Sequence, residues 1–270
     1  MSSVPASSHS PFSLVKLANG WTVGRFPALD AVAGVTHLVT TRDGLDVQLV
    51  RHQADAATQQ AARAAGLSRA AWVHQVHGGR CLRVRAEDLA GRADSCLGQA
   101  DALMTDEPGL GVSCRSADCP LILVAGLGAT GRPAVGIAHA SWRGTVQARI
   151  TELLVGDMVR AFGLDPADLV ACICPSAGPC CYEVRQDVLD EATRALGPQA
   201  ERFFPRRDGR MYMDLWSANR DQLRMCGLSD VNIHVAGVCT LCRNDLFPSH
   251  RREGDRAGRF LAVIGPQSPS

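Results

Sequence analysis

Three side chains in this sequence have the types and the settings of a metal centre. His77 stands in Trp72-Val-His74-Gln75-Val-His77-Gly78-Gly79, Cys119 in Ser116-Ala-Asp118-Cys119-Pro120, and His139 in Gly136-Ile-Ala-His139-Ala-Ser-Trp142-Arg143-Gly144-Thr145. One thiolate and two neutral imidazoles are the ligand set of a catalytic zinc, whose fourth position is left to water or substrate. Each residue alone has an ordinary structural reading: a cysteine at a strand end packs as a small hydrophobe, and a histidine between alanines is a hydrogen-bonded core group. What joins them is position. The apolar run 133–138 predicts a buried strand that delivers His139 to its C-terminal end, where a tight Trp-Arg-Gly-Thr turn opens a helix, and sites of sheet-based enzymes are commonly built at such ends. Cys119 closes a second such segment, and His77 ends a strand predicted over 71–76.

Neighbouring residues supply further candidates. On the 71–76 strand Gln75 shares the parity of His77 and faces the same side, whereas His74 faces the other and reads as structural. Near the C-terminus, Phe247-Pro-Ser249-His250-Arg251-Arg252 has the composition of an anion clamp, with guanidinium groups that match a phosphate in two-pronged fashion. Cys239-x-x-Cys242 and Cys172-x-Cys174 together have the makings of a structural zinc site. They lack the flanking glycine turns and the short-range second pair of a zinc knuckle, so they are expected to be buried or incidental thiols.

The elements that must position these groups can be read from the periodicities. With 270 residues, 46% of them hydrophobic, the chain can bury a full core. A hairpin over 12–17 and 21–26, turned by Asn19-Gly20, opens the chain. Strands are expected over 35–41, 71–76, 80–84, 102–105, 111–114, 121–125, 133–138, 169–174, 211–214, 232–238 and 260–264. Helices are expected over 55–65, 186–196 and 217–225, with the clearest helical spacing, Val146, Ile150, Leu153, Leu154, Met158 and Phe162, over 145–162. The polar stretch 86–99 reads as a surface excursion. Hairpins mixed with crossovers argue for mixed sheets rather than a regular wound parallel sheet. The fold class is therefore α+β, one domain of mixed β-sheets with packed helices over 12–270, preceded by a Ser- and Pro-rich disordered tail over 1–11.

Charge and composition exclude several classes of function. The formal net charge is +1, which gives no strong field toward nucleic acid or an anionic membrane. No apolar run approaches the roughly 20 residues of a membrane helix. The chain has eleven cysteines but no start of the kind an export signal has, so the thiols are expected to be reduced and the protein cytoplasmic.

The segments Gln75-Val76-His77-Gly78, Ala117-Asp118-Cys119-Pro120, Ala138-His139-Ala140-Ser141-Trp142-Arg143-Gly144, Gly178-Pro179-Cys180-Cys181-Tyr182-Glu183-Val184 and Ser249-His250-Arg251-Arg252 occur in one order along the chain. As a set they resemble the family known variously as polyphenol oxidase (laccase domain), peptidoglycan editing factor and purine nucleoside phosphorylase. The resemblance runs from about residue 35 to the end. It implies a laccase-domain-like α/β sandwich and a zinc held by His77, Cys119 and His139. It also implies phosphorolysis of adenosine, inosine and methylthioadenosine to free base and ribose 1-phosphate, together with adenosine deamination. Purine nucleosides and phosphate would then be the partners of a monomer or homodimer. On this reading Asp118, Cys119 and His139 are the catalytic candidates, Asp118 acting either as acid/base or as a group that orients a ligand histidine. Gln75, Arg143, His250 and Arg251 are the candidates for substrate and phosphate.

The sequence departs from the family in places. Residues 45–55 are shorter and different, which alters the rim of the pocket, Ser141 replaces the usual Gly, and Ala177 stands where Ile is common. Two other readings of the same resemblance are an editing factor acting on peptidoglycan precursors such as UDP-MurNAc-peptide and a copper-dependent polyphenol oxidase. The second asks for several coppers held mainly by histidine, and the chain has eight histidines.

Overall fold

The alternation of side chains along the central strands decides the layering. Leu121, Leu123 and Ala125 pack with Val135 and Ile137 into one buried cluster that also takes Val112, Cys114, Ala262 and Ile264 from a second sheet. The residues between them, Ile122 and Val124, point the other way onto Ile150, Leu154 and Met158 of the helix Ile150–Phe162 and Leu223 of the helix Leu215–Met225. On the far side of the second sheet Leu38, Leu261 and Val263 meet Val50, Ala57 and Ala61 of the helices Val47–His52 and Ala54–Ala64. The result is helices, sheet, sheet, helices. Each Leu or Ile buried this fully contributes roughly 1.5–3 kcal/mol relative to exposure, so the two central strands are fixed on both faces.

This architecture comes from a computed structural model that describes residues 10–269; the tail expected over 1–11 lies almost wholly outside the described residues. One sheet has seven strands in the order Ser13–Lys16, Thr22–Arg25, Val35–Thr40, Phe260–Pro266, Leu110–Ser116, Arg69–His74, Cys96–Gln99. The other has six: Ile233–Val235, Val170–Ile173, Leu121–Leu127, Pro133–His139, Ala102–Thr105, Cys81–Arg83. Both are mixed: Arg69–His74 runs parallel to its two neighbours, and Pro133–His139 antiparallel to both of its own. A small three-stranded sheet around Glu183–Val184 and Arg210–Tyr212 packs with the helix Gln186–Leu196 at one side. The α+β domain of mixed sheets is the fold that the sequence predicts.

Several local expectations need correction. The helix expected over 145–162 is two, Trp142–Val146 and Ile150–Phe162. Ser141 caps the first by accepting a hydrogen bond from the Gly144 N–H at 3.0 Å, which starts it three residues early. Arg149 breaks the run with a left-handed backbone, φ 51°. The helix Val47–His52 gives no signal in the sequence, because six residues are too few for a helical period to register; Asp46 caps it by accepting from Gln48 N–H. The excursion over 86–99 ends in a strand, Cys96–Gln99, added parallel to Arg69–His74. The strands read as joined by His77-Gly78-Gly79 belong to different sheets.

Candidate active site

The change of sheet after His74 explains how the site is assembled. The chain crosses from the seven-stranded to the six-stranded sheet three times at the same end of the sandwich: after Arg69–His74, after Cys96–Gln99 and after Leu110–Ser116. The first crossing carries His77, the second Asp101 and the third Cys119. His139 ends the strand that the second and third crossings feed, since Ala102 pairs with Ala138 and Leu121 with His139. Hydrogen bonds from His139 N–H to Asp101 O at 2.7 Å and from Ala140 N–H to Pro120 O at 2.9 Å lock the crossings to that strand.

Here one ligand atom each of His77, Cys119 and His139 lies within 4.8 Å of the others. The two rings meet edge to face with centroids 5.0 Å apart. His139 is buried, Cys119 half-buried and His77 exposed, so the cluster is reached from one side. His77 has φ 60°, a backbone conformation rare outside glycine. A single carboxylate holds it there: buried Asp101 accepts from the N–H groups of Val76, His77 and Gly78 at 3.2, 3.0 and 2.7 Å. The same carboxylate meets His139 Nδ1 at 3.0 Å. With Nδ1–H donated to Asp101, His139 presents Nε2 to the cluster, the arrangement that orients metal-binding imidazoles.

Ionisation agrees with that role. Burial alone would raise the Cys119 thiol, but the charge of His139 and hydrogen bonds from His139 and His77 bring it down to about 6. Burial would likewise lower His139, yet Cys119 and Asp101 lift it to about 9. Asp101, despite its burial, stays below the usual carboxylate range because His139 and the backbone N–H groups donate to it. A thiolate poised beside two imidazoles, one with its tautomer fixed, fits a thiophilic divalent ion such as zinc.

The cluster forms the floor of a cavity of about 450 Å³ whose walls include three arginines, Arg51, Arg115 and Arg259. Arg51 and Arg259 hold backbone carbonyls of the 255–258 turn, and Arg115 holds Val50 O while its guanidinium lies 5.0 Å above the Trp72 ring. Among the described residues no carboxylate pairs with any of them within 4.0 Å. His74, Gln75, Ser116, Ala117 and His250 complete the lining.

A family profile described as multi-copper polyphenol oxidoreductase laccase matches residues 43–267, a span that contains every group of the site. The chain belongs to that family. Members resembling it include the protein called purine nucleoside phosphorylase YlmD of Geobacillus stearothermophilus, 36% identical over 207 residues and 72% of each chain. Another, called purine nucleoside phosphorylase, from Xylella fastidiosa, is 38% identical over 197 residues, again 72% of each chain. Among solved structures, the family's fold recurs in YlmD from Geobacillus stearothermophilus, with a TM-score of 0.80 at 31% identity, covering 94% of this chain and 99% of that one. It recurs also in the hypothetical protein YfiH of Bacillus licheniformis, with a TM-score of 0.81 at 27% identity, over 96% and 100%.

Within this laccase-family frame the candidates divide. His77, Cys119 and His139 come together, and Gln75 and His250 line the cavity above them. Gln75 is nevertheless occupied: its amide donates to Arg115 O at 2.7 Å and accepts from Arg115 N–H at 2.9 Å, setting the angle of that arginine. His74, expected to face away, lines the cavity, because the strand ends at His74 and its alternation does not extend into the loop beyond. Arg143 is exposed and stacks on Trp142 at 4.4 Å, outside the cavity. Arg251 is exposed too, its guanidinium on the Tyr182 ring at 5.0 Å and bonded to Glu183 O at 2.9 Å.

Asp118, at φ 97°, has both carboxylate oxygens engaged. It accepts from Thr240 Oγ1 and from Arg251 N–H, each at 2.6 Å, and its carbonyl accepts from Ala177 N–H at 2.7 Å. It ties three loops together behind Cys119. Sequence reasoning passes over Asp101, Arg51, Arg115 and Arg259. Asp101 carries one usable signal, an acidic residue between two short strands in Gly98-Gln99-Ala100-Asp101-Ala102; the arginines carry none, being scattered along an Arg-rich chain.

Proposed function

We propose that the chain is a zinc-dependent purine nucleoside phosphorylase that cleaves adenosine, inosine and methylthioadenosine to base and ribose 1-phosphate, with adenosine deamination as a second activity of the same centre. The observation that carries the reading is the set of three guanidinium groups, free of carboxylate partners among the described residues, that line one cavity with the His77, Cys119 and His139 cluster. Such groups recognise a phosphate dianion through charge-assisted, two-pronged hydrogen bonds. The names of relatives in the family support the same reading.

In phosphorolysis a phosphate oxygen forms a bond to C1′ of the ribose while the bond from C1′ to the purine breaks. Its electron pair leaves on the base, which must gain a proton. Arg51, Arg115 and Arg259 hold the phosphate and keep its charge close to the ribose carbon as positive character develops there. His74 and His250 are the titratable wall groups able to pass a proton to the base. His77, Cys119 and His139 would hold zinc, which when bound supplies a Lewis acid and an acidified water, the chemistry that loss of ammonia from adenosine requires.

The family profile's description favours copper, but the side chains argue against a multi-copper centre. A multi-copper centre needs several imidazole-rich sites, and the only other gathered ligand set among the described residues consists of four cysteines. A cavity of about 450 Å³ suits a nucleoside with phosphate better than a peptide-bearing nucleotide.

The test is a nucleoside screen with phosphate present and absent, reading purine base and ribose 1-phosphate together. Arg115→Ala and Arg259→Ala should each raise the phosphate concentration for half-saturation by on the order of 10–100-fold while metal content stays at the wild-type level. Base release that is indifferent to phosphate would sink the proposal.

A further inference from the structure

The second gathered ligand set lies outside the cavity, and nothing in the proposed reaction uses it. Cys180 and Cys181, in the loop after the strand Val170–Ile173, meet Cys239 and Cys242, in the loop after the strand Ile233–Val235. All four sulfurs lie within 4.8 Å of one another, with Cys181 to Cys242 at 3.3 Å and Cys180 to Cys242 at 3.6 Å. In a tetrahedral thiolate site with metal–sulfur bonds of about 2.3 Å the sulfurs stand about 3.8 Å apart. Both of these spacings lie a little below that edge length, and no pair exceeds 4.8 Å.

The sequence argues for incidental thiols here and offers Cys172 and Cys174 as the only companions of Cys239 and Cys242. Those two are instead buried in the core between the sheets. The true companions are remote in sequence and arrive by a backbone bridge that pairs Ser176 with Cys239, reinforced by Ser176 N–H to Val238 O at 3.1 Å and Thr240 N–H to Ser176 O at 3.0 Å. No local spacing motif could reveal them.

Three features distinguish the cluster from ordinary packed thiols. Cys180 and Cys242 are exposed, Cys181 is half-buried and only Cys239 is buried, so the apolar burial that usually accounts for a cysteine is missing for three of the four. Gly178 N–H donates to the Cys239 sulfur at 3.3 Å, an orientation that favours a thiolate there. A Cβ on Gly178 would stand 2.7 Å from the Trp216 ring and 3.2 Å from Cys239 Cβ, so only glycine lets this amide come so near.

We infer that Cys180, Cys181, Cys239 and Cys242 form a second metal site, holding one divalent ion through four thiolates. Zinc and iron share this ligand chemistry. The loops so joined are those that brace the active site from behind: Thr240 holds Asp118 next to Cys119, and Tyr182 and Glu183 hold Arg251, whose N–H also meets Asp118. The ion fixes these loops and takes no part in the reaction; the four thiols release their protons on binding it.

The experiment is metal analysis of the full chain purified under reducing conditions without added metal. About two ions per chain are expected, one lost in Cys119→Ala and the other in Cys239→Ser/Cys242→Ser. Elemental analysis separates iron from zinc, and on oxidation in air only iron gives the visible sulfur-to-iron bands of its ferric form. If the double variant fails to fold, Cys119→Ala reloaded with cobalt serves in its place: it should show sulfur-to-cobalt charge transfer and the intense visible bands of a tetrahedral sulfur site. A double variant that keeps the wild-type metal content overturns the inference. So does a Cys119→Ala chain that contains no metal and shows no such bands with cobalt, or one in which mass spectrometry finds the four cysteines joined as disulfides.

Discussion

Asp101, which the sequence reading passes over, is a buried carboxylate that serves two candidate metal ligands at once. It holds His77 in a left-handed turn through three N–H groups and fixes the tautomer of His139. Asp101→Asn keeps the shape but replaces an anion that takes four donors with a neutral amide, so zinc affinity should fall about 10–100-fold; a competition titration against a coloured chelator measures it, and unchanged affinity would mean that the turn is held by other contacts. The coupled pair beyond it sets a pH window. In the metal-free chain Cys119 titrates below the ordinary thiol, at about 6, and His139 above the ordinary imidazole, at about 9. The thiolate is therefore lost only as pH falls through about 6, and the imidazolium only as pH rises through about 9, so both charges stand between those limits. Alkylation of Cys119, followed on its own peptide, should show a midpoint near 6, and His139→Asn should move it upward, since burial then acts without the opposing charge. Within that window zinc binding should release about one proton, from His139, visible as a buffer-dependent binding enthalpy.

At the scale of elements, the strands were legible because their apolar alternation repeats over several residues, and the strand Pro133–His139 was placed to within one residue. The ligand triad was legible for the same reason: each member sits where such a run ends. Elements too short to repeat their period escaped, as Val47–His52 did, and that helix carries Arg51 into the cavity. Arg143 and Arg251 lie close to the candidate ligands in sequence, but their side chains stack on Trp142 and Tyr182 and do not line the cavity. Arg143→Ala should accordingly leave phosphate saturation within about twofold of wild type, whereas Arg115→Ala should not. Gly136 shows how closely the element bearing His139 is packed: a Cβ there would come 2.6 Å from Met158 Sδ and 2.8 Å from Leu154 Cδ1 of the overlying helix. Gly136→Ala should therefore cost about 1–3 kcal/mol in denaturant unfolding, with the denaturant slope unchanged. A neutral result would show that the two side chains rotate aside without cost.

For the molecule as a whole, the decisive fact is that the candidate ligands belong to connections between two sheets whose cores are already filled. The strands on either side of the centre are packed on both faces and contribute nothing to the triad except its anchor points, apart from His139 itself. The sequence could show where strands end but not that successive strands alternate between sheets, since nothing in a pattern of period two says which sheet a strand joins. That alternation is what brings His77, Asp101 and Cys119 together, and it makes a thermodynamic claim. If the layers stand by themselves, metal bound at the crossings stabilises the chain by mass action, about 4 kcal/mol at a thousandfold excess over Kd, without being needed for the fold. Chelation should then raise amide exchange at Val76, His77 and Gly78, whose N–H groups depend on Asp101, and leave the interior of Leu121–Leu127 and Pro133–His139 protected. Exchange that rises across both central strands on chelation would mean that the metal holds the two sheets together, and that the crossings are a cause of the sandwich rather than a product of it.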